Sequence, residues 1–151
     1  MAGDRVQQAD SLFQGGLACS QSILATYGPL FGFDYDDAIR IARGFGGGMA
    51  RLSETCGAVT GAFMVLSLKF DGTDKQTKED TYALMQQFAS RFKAKHHSLN
   101  CTQLLGCDLN TAEGQSFFRE NGMMKSHCIP YVRLSAEILE GLLNLDEAEV
   151  N

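Results

Sequence analysis

Apolar residues recur along the chain at intervals of three and four, which is the spacing of one helix face. No stretch alternates apolar and polar residues for long enough to indicate a strand. The first helix carries its apolar stripe at Val6, Ala9, Phe13 and Leu17. Because paired glycines weaken a helix interior, we expect Gly15 and Gly16 to kink or split this helix.

Further helices are indicated by the same spacing and by residues that begin helices. They are predicted after Asp34, from about 53 to 69, from about 75 to 96, from about 111 to 118, and from Pro130 onward, with only a short turn of helix at 101–105. The glycines at 44 and 46–48 cost a helix too much backbone entropy, so an irregular segment is expected there. The predicted fold class is all-α: a single-domain bundle of about five or six helices, some short, over residues 1–151.

The composition fits a folded protein with one core. The chain has 151 residues, of which 44% are hydrophobic and 21% charged, so it should fold alone or as an oligomer such as a homodimer. The formal net charge is −5 and the basic residues are scattered, so we expect neither nucleic acid nor a membrane as partner. The first ten residues lack the apolar core of a signal peptide, and a cytoplasmic location is expected.

Five cysteines are spread over the chain, at positions 19, 56, 101, 107 and 128. In a reducing compartment such thiols are reactive, metal-binding or simply buried more often than they are paired in permanent disulfides. Their odd number leaves at least one of them unpaired.

Three of these thiols fall at predicted helix starts. With Ser53 as N-cap, Cys56 would be the third helical residue; Asn100 would cap the turn that begins at Cys101, and Cys128 would stand just before a helix beginning at Pro130. The helix dipole and the unpaired N–H groups at such positions stabilise a thiolate. The alternative is that each cysteine is a small buried apolar residue without reactivity.

The residues around Cys56 are unusually small. Gly57 and Gly61 are four apart, so their helix has a face with almost no side chain, against which a second cysteine-bearing helix could pack. The glycine run at 44–48 lacks the lysine of a phosphate-binding loop and is not preceded by a predicted strand, so nucleotide binding is rejected. The histidines at 96, 97 and 127 permit a mixed Cys/His metal site, but only weakly, because no C-x-x-C pair accompanies them.

Taken together, Cys19, the run GFGGGM, the stretch CGAVTG from Cys56, Cys101 in LNCTQLLG and Cys128 form one pattern. This pattern resembles the C-GCAxxG-C-C family of redox-active proteins, named for four cysteines and a CGAxxG motif, over about residues 11–142. The resemblance implies an all-helical domain in which Cys19, Cys56, Cys101 and Cys128 gather into one site, with Cys107 as an extra. The family's helical domain is also similar to part of split-Soret cytochrome c, for which an iron–sulfur cluster is proposed. The chain has no C-x-x-C-H sequence, so haem is not implied.

Three hypotheses follow. In the first, the chain is a thiol–disulfide oxidoreductase in which Cys56 attacks and a neighbouring cysteine resolves the intermediate, with a redox protein or a small-molecule oxidant as partner. In the second, the four shared cysteines hold an iron–sulfur cluster or a zinc ion. In the third, the chain is a helical bundle with inert thiols.

Overall fold

The computed structural model describes residues 2–145. Within this range the chain forms eight α-helices and no strand. They are α1 (Ala2–Gln14), α2 (Cys19–Tyr27), α3 (Tyr35–Ala42), α4 (Gly57–Leu68), α5 (Lys75–His96), α6 (Cys101–Leu105), α7 (Ala112–Glu120) and α8 (Ile129–Leu142). None of the helices in this range is both long and apolar enough to span a membrane.

The predicted all-α class is confirmed, but the predicted number of helices was too low. One reason is the glycine pair, which ends α1 instead of merely bending it. Gly16 adopts φ +113°, and Ala18 is extended with ψ 157°, so the chain restarts as α2 at Cys19. A second reason is that the segment from Cys101 is a complete short helix.

The predicted N-caps of three helices are confirmed. The Asp34 carboxylate accepts from the Asp36 N–H at 2.8 Å. The Asn100 side chain accepts from the Gln103 N–H at 3.0 Å, and Thr111 Oγ1 accepts from the Gly114 N–H at 2.9 Å. Each cap satisfies a backbone donor that the helix itself leaves unpaired.

Helices α2 and α4 form the centre of the bundle: eight of the nine residues of α2 and seven of the twelve residues of α4 are buried. They pack at very short range because α4 has no side chain at Gly61: a Cβ there would come within 2.8 Å of the Ser20 carbonyl oxygen. Helix α8 closes the other side of α4, and Ser135 Oγ donates to the Ala58 carbonyl oxygen at 2.7 Å. The small-residue face expected around Gly57 and Gly61 is therefore a close helix crossing.

The predicted start of α4 at Ser53 was wrong. Ser53 has φ +61°, which is not helical, and its buried hydroxyl accepts from the Leu109 N–H at 3.2 Å. Residues 54–56 instead run antiparallel to residues 99–101 around an isolated bridge between Thr55 and Asn100. This pairing makes the chain extended up to Cys56, so α4 begins only at Gly57.

The glycine run ahead of this segment is irregular, as predicted. Residues 47–51 all have positive φ, from 53° to 68°, so the chain makes a left-handed turn. Gly47 and Gly48 adopt this conformation without steric cost, whereas each of the other three residues in the turn costs about 1–2 kcal/mol. Gly48 also allows close packing, because a Cβ there would lie 2.6 Å from the Cβ of Cys101.

Candidate functional site

The left-handed turn and the starts of several helices enclose a cavity of about 640 Å³. Four cysteines line it: Cys19, Cys56, Cys101 and Cys128. Cys19 is the first residue of α2, Cys56 and Cys128 immediately precede α4 and α8, and Cys101 is the first residue of α6. The structure thus brings the four predicted site residues together, and Cys107 is not among the residues that line the cavity.

Cys19 has the most polarised sulfur of the four. The Cys56 thiol donates a hydrogen bond to it, and the backbone N–H groups of Gly47, Ser20 and Cys19 itself also donate. These bonds outweigh the effect of burial and lower the pKa of Cys19 from 9.0 to about 7. Two of the donors are the free N–H groups of the first turn of α2, and the third comes from the left-handed turn.

The same contact shifts the pKa of Cys56 in the opposite direction. Its hydrogen bond to Cys19 is the main cause that raises the pKa of the Cys56 thiol, and burial adds to the effect. The thiolate charge of the pair is therefore held by Cys19, while Cys56 keeps its proton. Cys56 also stands before α4 and not in its first turn, contrary to the sequence prediction.

Gly57 makes the contact between these two thiols sterically possible. A Cβ at this position would overlap Cys19 Sγ and approach the Phe45 carbonyl oxygen to 2.8 Å. The glycine of the CGAVTG stretch thus leaves the space that the Cys19 sulfur occupies.

Cys101 and Cys128 remain protonated at neutral pH. Burial raises the pKa of Cys101 to about 11, although a hydrogen bond from the Ser53 hydroxyl partly offsets this. Burial also raises the pKa of the Cys128 thiol well above 9.0. Cys128 lacks a free helix start, because the π-helical turn Met124–Cys128 continues directly into α8 and the Ile129 N–H bonds to the Met124 carbonyl oxygen.

Tyr131 forms the wall of the cavity next to Cys128. Its hydroxyl donates to the Leu104 carbonyl oxygen at 2.7 Å, and the His96 ring packs edge-on against it with centroids 4.6 Å apart. Burial raises the pKa of Tyr131 to about 12. The sequence indicated only an apolar helix position here, because a tyrosine in a helical stripe does not show which cavity it borders.

The positions of the thiols do not fit a metal centre. A structural zinc ion or an iron–sulfur cluster needs several thiolates around one point, at about 2.3 Å from zinc. Among residues 2–145, no three or more histidine, cysteine, aspartate or glutamate side chains are grouped so as to hold a metal ion. Two of the histidines considered for a mixed Cys/His metal site contact other residues. His96 packs on Tyr131, and His127 Nδ1 lies 2.7 Å from Ser126 Oγ.

Three arginines also line the cavity, Arg43, Arg51 and Arg119, and sequence analysis missed them. Their scattered positions gave no basic stripe, so no charge pattern could have found them. Arg43 and Arg51 do flank the glycine run on both sides, and this is the one signal the sequence contains.

The fold and the cavity define a class: a helical protein with several thiols gathered around one space. The comparison of sequences gives the family, because the model for "Putative redox-active protein (C_GCAxxG_C_C)" matches residues 17–142. This is most of the chain, which therefore belongs to that family, as its cysteine pattern suggested. No curated protein and no solved structure matches the chain.

Proposed function

We propose that the protein is a thiol–disulfide oxidoreductase in which Cys19 and Cys56 are the redox pair. The observation that carries this proposal is that Cys19 Sγ lies against Gly57, the residue directly after Cys56, and that both cysteines line the same cavity. A thiol with a pKa near ambient pH is the best attacking group in disulfide exchange, and the pKa of Cys19 is lowered to about 7. This proposal assigns the attack to Cys19, and Cys56 becomes the resolving thiol.

In the first step the Cys19 thiolate attacks one sulfur of a substrate disulfide. The substrate S–S bond breaks, a mixed disulfide forms on Cys19, and one half of the substrate leaves as a thiolate. The N–H groups of Gly47 and Ser20 hold the attacking sulfur in place before the step.

In the second step Cys56 resolves the mixed disulfide. Its pKa is raised chiefly by the bond to the Cys19 sulfur, and this cause disappears once Cys19 is neutral. The Cys56 proton passes to the departed thiolate, and the Cys56 sulfur attacks Cys19 Sγ and releases the second half of the substrate. The Cys19 thiolate and the Cys56 thiol are thereby oxidised to a disulfide, and one substrate disulfide is reduced to one thiol and one thiolate.

The two other hypotheses have less support. Inert thiols are expected to be shielded and to have raised pKa values, whereas Cys19 is half-buried and has a lowered pKa. A metal centre has less support because, among residues 2–145, no three or more metal-ligating side chains are grouped so as to hold a metal ion. A cytoplasmic location belongs to the proposal as well, because a reducing compartment keeps such thiols available.

The test is to trap the mixed disulfide. Cys56→Ser should accumulate a stable adduct on Cys19 when the reduced protein is mixed with a small disulfide, because the resolving thiol is gone and burial keeps the other two cavity thiols, Cys101 and Cys128, protonated. Cys19→Ser should form no adduct on Cys56, and Cys107→Ser should behave as wild type. Intact-mass and peptide mass spectrometry show whether an adduct forms in each of the three variants and on which cysteine. An adduct on Cys56 in Cys19→Ser, formed as fast as the wild type reacts, would contradict the assignment.

A further inference from the structure

The cavity that holds the thiols contrasts in charge with the rest of the molecule. The chain has 18 acidic and 13 basic residues, so its overall charge is negative. Among residues 2–145, the charged side chains that line the cavity are nevertheless Arg43, Arg51 and Arg119, with no aspartate, glutamate, lysine or histidine. The charged side chains that line the cavity are therefore cationic and favour anions there, although the Asp108 carboxylate also acts on Cys101 from nearby.

These three arginines, like Arg91 outside the cavity, are not held in an ion pair among residues 2–145. Three other arginines are held in ion pairs: Arg5 with Glu140, Arg40 with Asp37 and Arg133 with Asp10. No ion pair among residues 2–145 involves Arg43, Arg51 or Arg119, and Arg119 reaches only Ser116 Oγ, at 3.4 Å. A guanidinium in this situation can bind a carboxylate through two parallel hydrogen bonds.

From this arrangement, and resting on the proposed function, we infer that the substrate is a low-molecular-weight disulfide that carries carboxylate groups. The arginines bind the carboxylates while the disulfide reaches Cys19, and the apolar walls at Leu104, Leu109 and Phe118 contact the carbon chains. A volume of about 640 Å³ lies in the range of small-molecule sites. The attacking Cys19 is half-buried, so a small disulfide reaches it more readily than one held in a folded protein.

The chemical step is the one given above. The Cys19–sulfur bond forms as the substrate S–S bond breaks; the first half leaves as a thiolate that takes the Cys56 proton, the second half leaves as a thiolate, and each half keeps its own carboxylate. The arginines neither gain nor lose a proton.

The test compares three dialkyl disulfides of similar size and different charge. Dithiodipropionate is anionic, bis(hydroxyethyl) disulfide is neutral, and cystamine is cationic. The rate of adduct formation on Cys19 is measured for each disulfide in the Cys56→Ser variant. Each rate is then divided by the rate at which the same disulfide reacts with a free small thiol, which corrects for the intrinsic reactivity of that disulfide. We expect the anionic disulfide to react about tenfold faster or more than the cationic one, and the difference to shrink in high salt.

Changing Arg43, Arg51 and Arg119 together to glutamine should abolish this charge preference, measured as the ratio of the anionic rate to the neutral rate within the same variant. Arg40→Gln is the matched control, since Arg40 is exposed, lies close to Arg43 in sequence and does not line the cavity; the preference should persist in it. Equal normalised rates for all three disulfides, or a preference that survives the triple change, would overturn the inference and leave the proposed function standing. A Cys19 that reacts with none of them would overturn both. A rapid reaction with a reporter protein disulfide, combined with equal slow rates for the small ones, would assign the site to protein substrates instead.

Discussion

The sulfur of Cys19 occupies the space that a side chain on Gly57 would fill. The two residues belong to different helices, and the Cys19 sulfur fits only because Gly57 has no Cβ. The contact between Cys19 and Cys56 therefore depends on the absence of this one methyl group. The glycine that follows the cysteine in CGAVTG serves the geometry of the thiol pair as well as the packing of the two helices.

The first prediction is that Gly57→Ala both destabilises the protein and separates the thiols. The new Cβ overlaps Cys19 Sγ and approaches a backbone carbonyl that cannot easily move, so unfolding in urea should show a loss of about 1–3 kcal/mol. Gly44→Ala is the control, because nothing lies within 4 Å of a Cβ there. Equal stability of the two variants would show that Cys19 and α4 are not in contact.

A second prediction concerns the pH dependence of Cys19. The reactive species is the thiolate, so alkylation of Cys19 should rise with pH around a midpoint of about 7. Cys56→Ala removes the hydrogen bond that contributes most to the lowered pKa, so the midpoint should move upward. Cys56→Ser retains a hydroxyl donor and should stay closer to the wild type. The measurement is the rate of iodoacetamide labelling of Cys19, followed by peptide mass spectrometry. An unchanged midpoint in Cys56→Ala would mean that the Cys56 thiol does not stabilise the Cys19 thiolate.

The third prediction separates backbone strain from the role of Gly47 as a donor. Gly47 has φ +64° and its N–H bonds to Cys19, whereas Gly32 has φ +79° and lies in open space. Alanine at either position should cost on the order of 1 kcal/mol in unfolding free energy, because both conformations disfavour a Cβ. Only Gly47→Ala should slow the alkylation of Cys19 at pH 7, because only there does the strained backbone hold the N–H on the sulfur. The same alkylation rate in both variants would remove Gly47 from the site.

The fourth prediction tests the crossing of α2 and α4. Gly61→Leu places a large side chain where a Cβ alone would lie 2.8 Å from the Ser20 carbonyl oxygen. The loss of stability should be on the order of 1–3 kcal/mol or more, although leucine has the better helix propensity. Ser67→Leu, on the exposed side of the same helix, should stay within about 0.5 kcal/mol of wild type. A melting temperature that is unchanged in Gly61→Leu would show that this face does not meet another helix.

The sequence was informative where local patterns decide the structure. Helical spacing gave the all-α class, the caps at Asp34, Asn100 and Thr111 were read from residue type alone, and the small faces of Gly57 and Gly61 indicated a close crossing. These features depend on neighbouring residues, and a single sequence contains that information.

The site itself depends on contacts between distant segments, and there the sequence was less informative. Ser53 has the residue type of an N-cap, but pairing between residues 54–56 and 99–101 holds the chain extended and delays α4 to Gly57. This shift removes the local argument for Cys56 as the thiolate. The donors that polarise Cys19 come from Gly47 and from α2, and the arginines come from three separate segments. No local spacing connects these residues, so only the folded chain shows that they meet.

The most direct test of the central claim is the identity of the first disulfide that forms. Fully reduced protein is treated anaerobically with one equivalent of a small disulfide, the remaining thiols are alkylated, and the linked peptides are identified by mass spectrometry. Protein purified without oxygen is first analysed for iron and zinc, so that any ligand on the four thiols is known. The account predicts metal-free thiols and a disulfide between Cys19 and Cys56, with Cys107 alkylated. A first disulfide that leaves Cys19 or Cys56 free, or iron or zinc held in stoichiometric amount by the four cysteines, would contradict it.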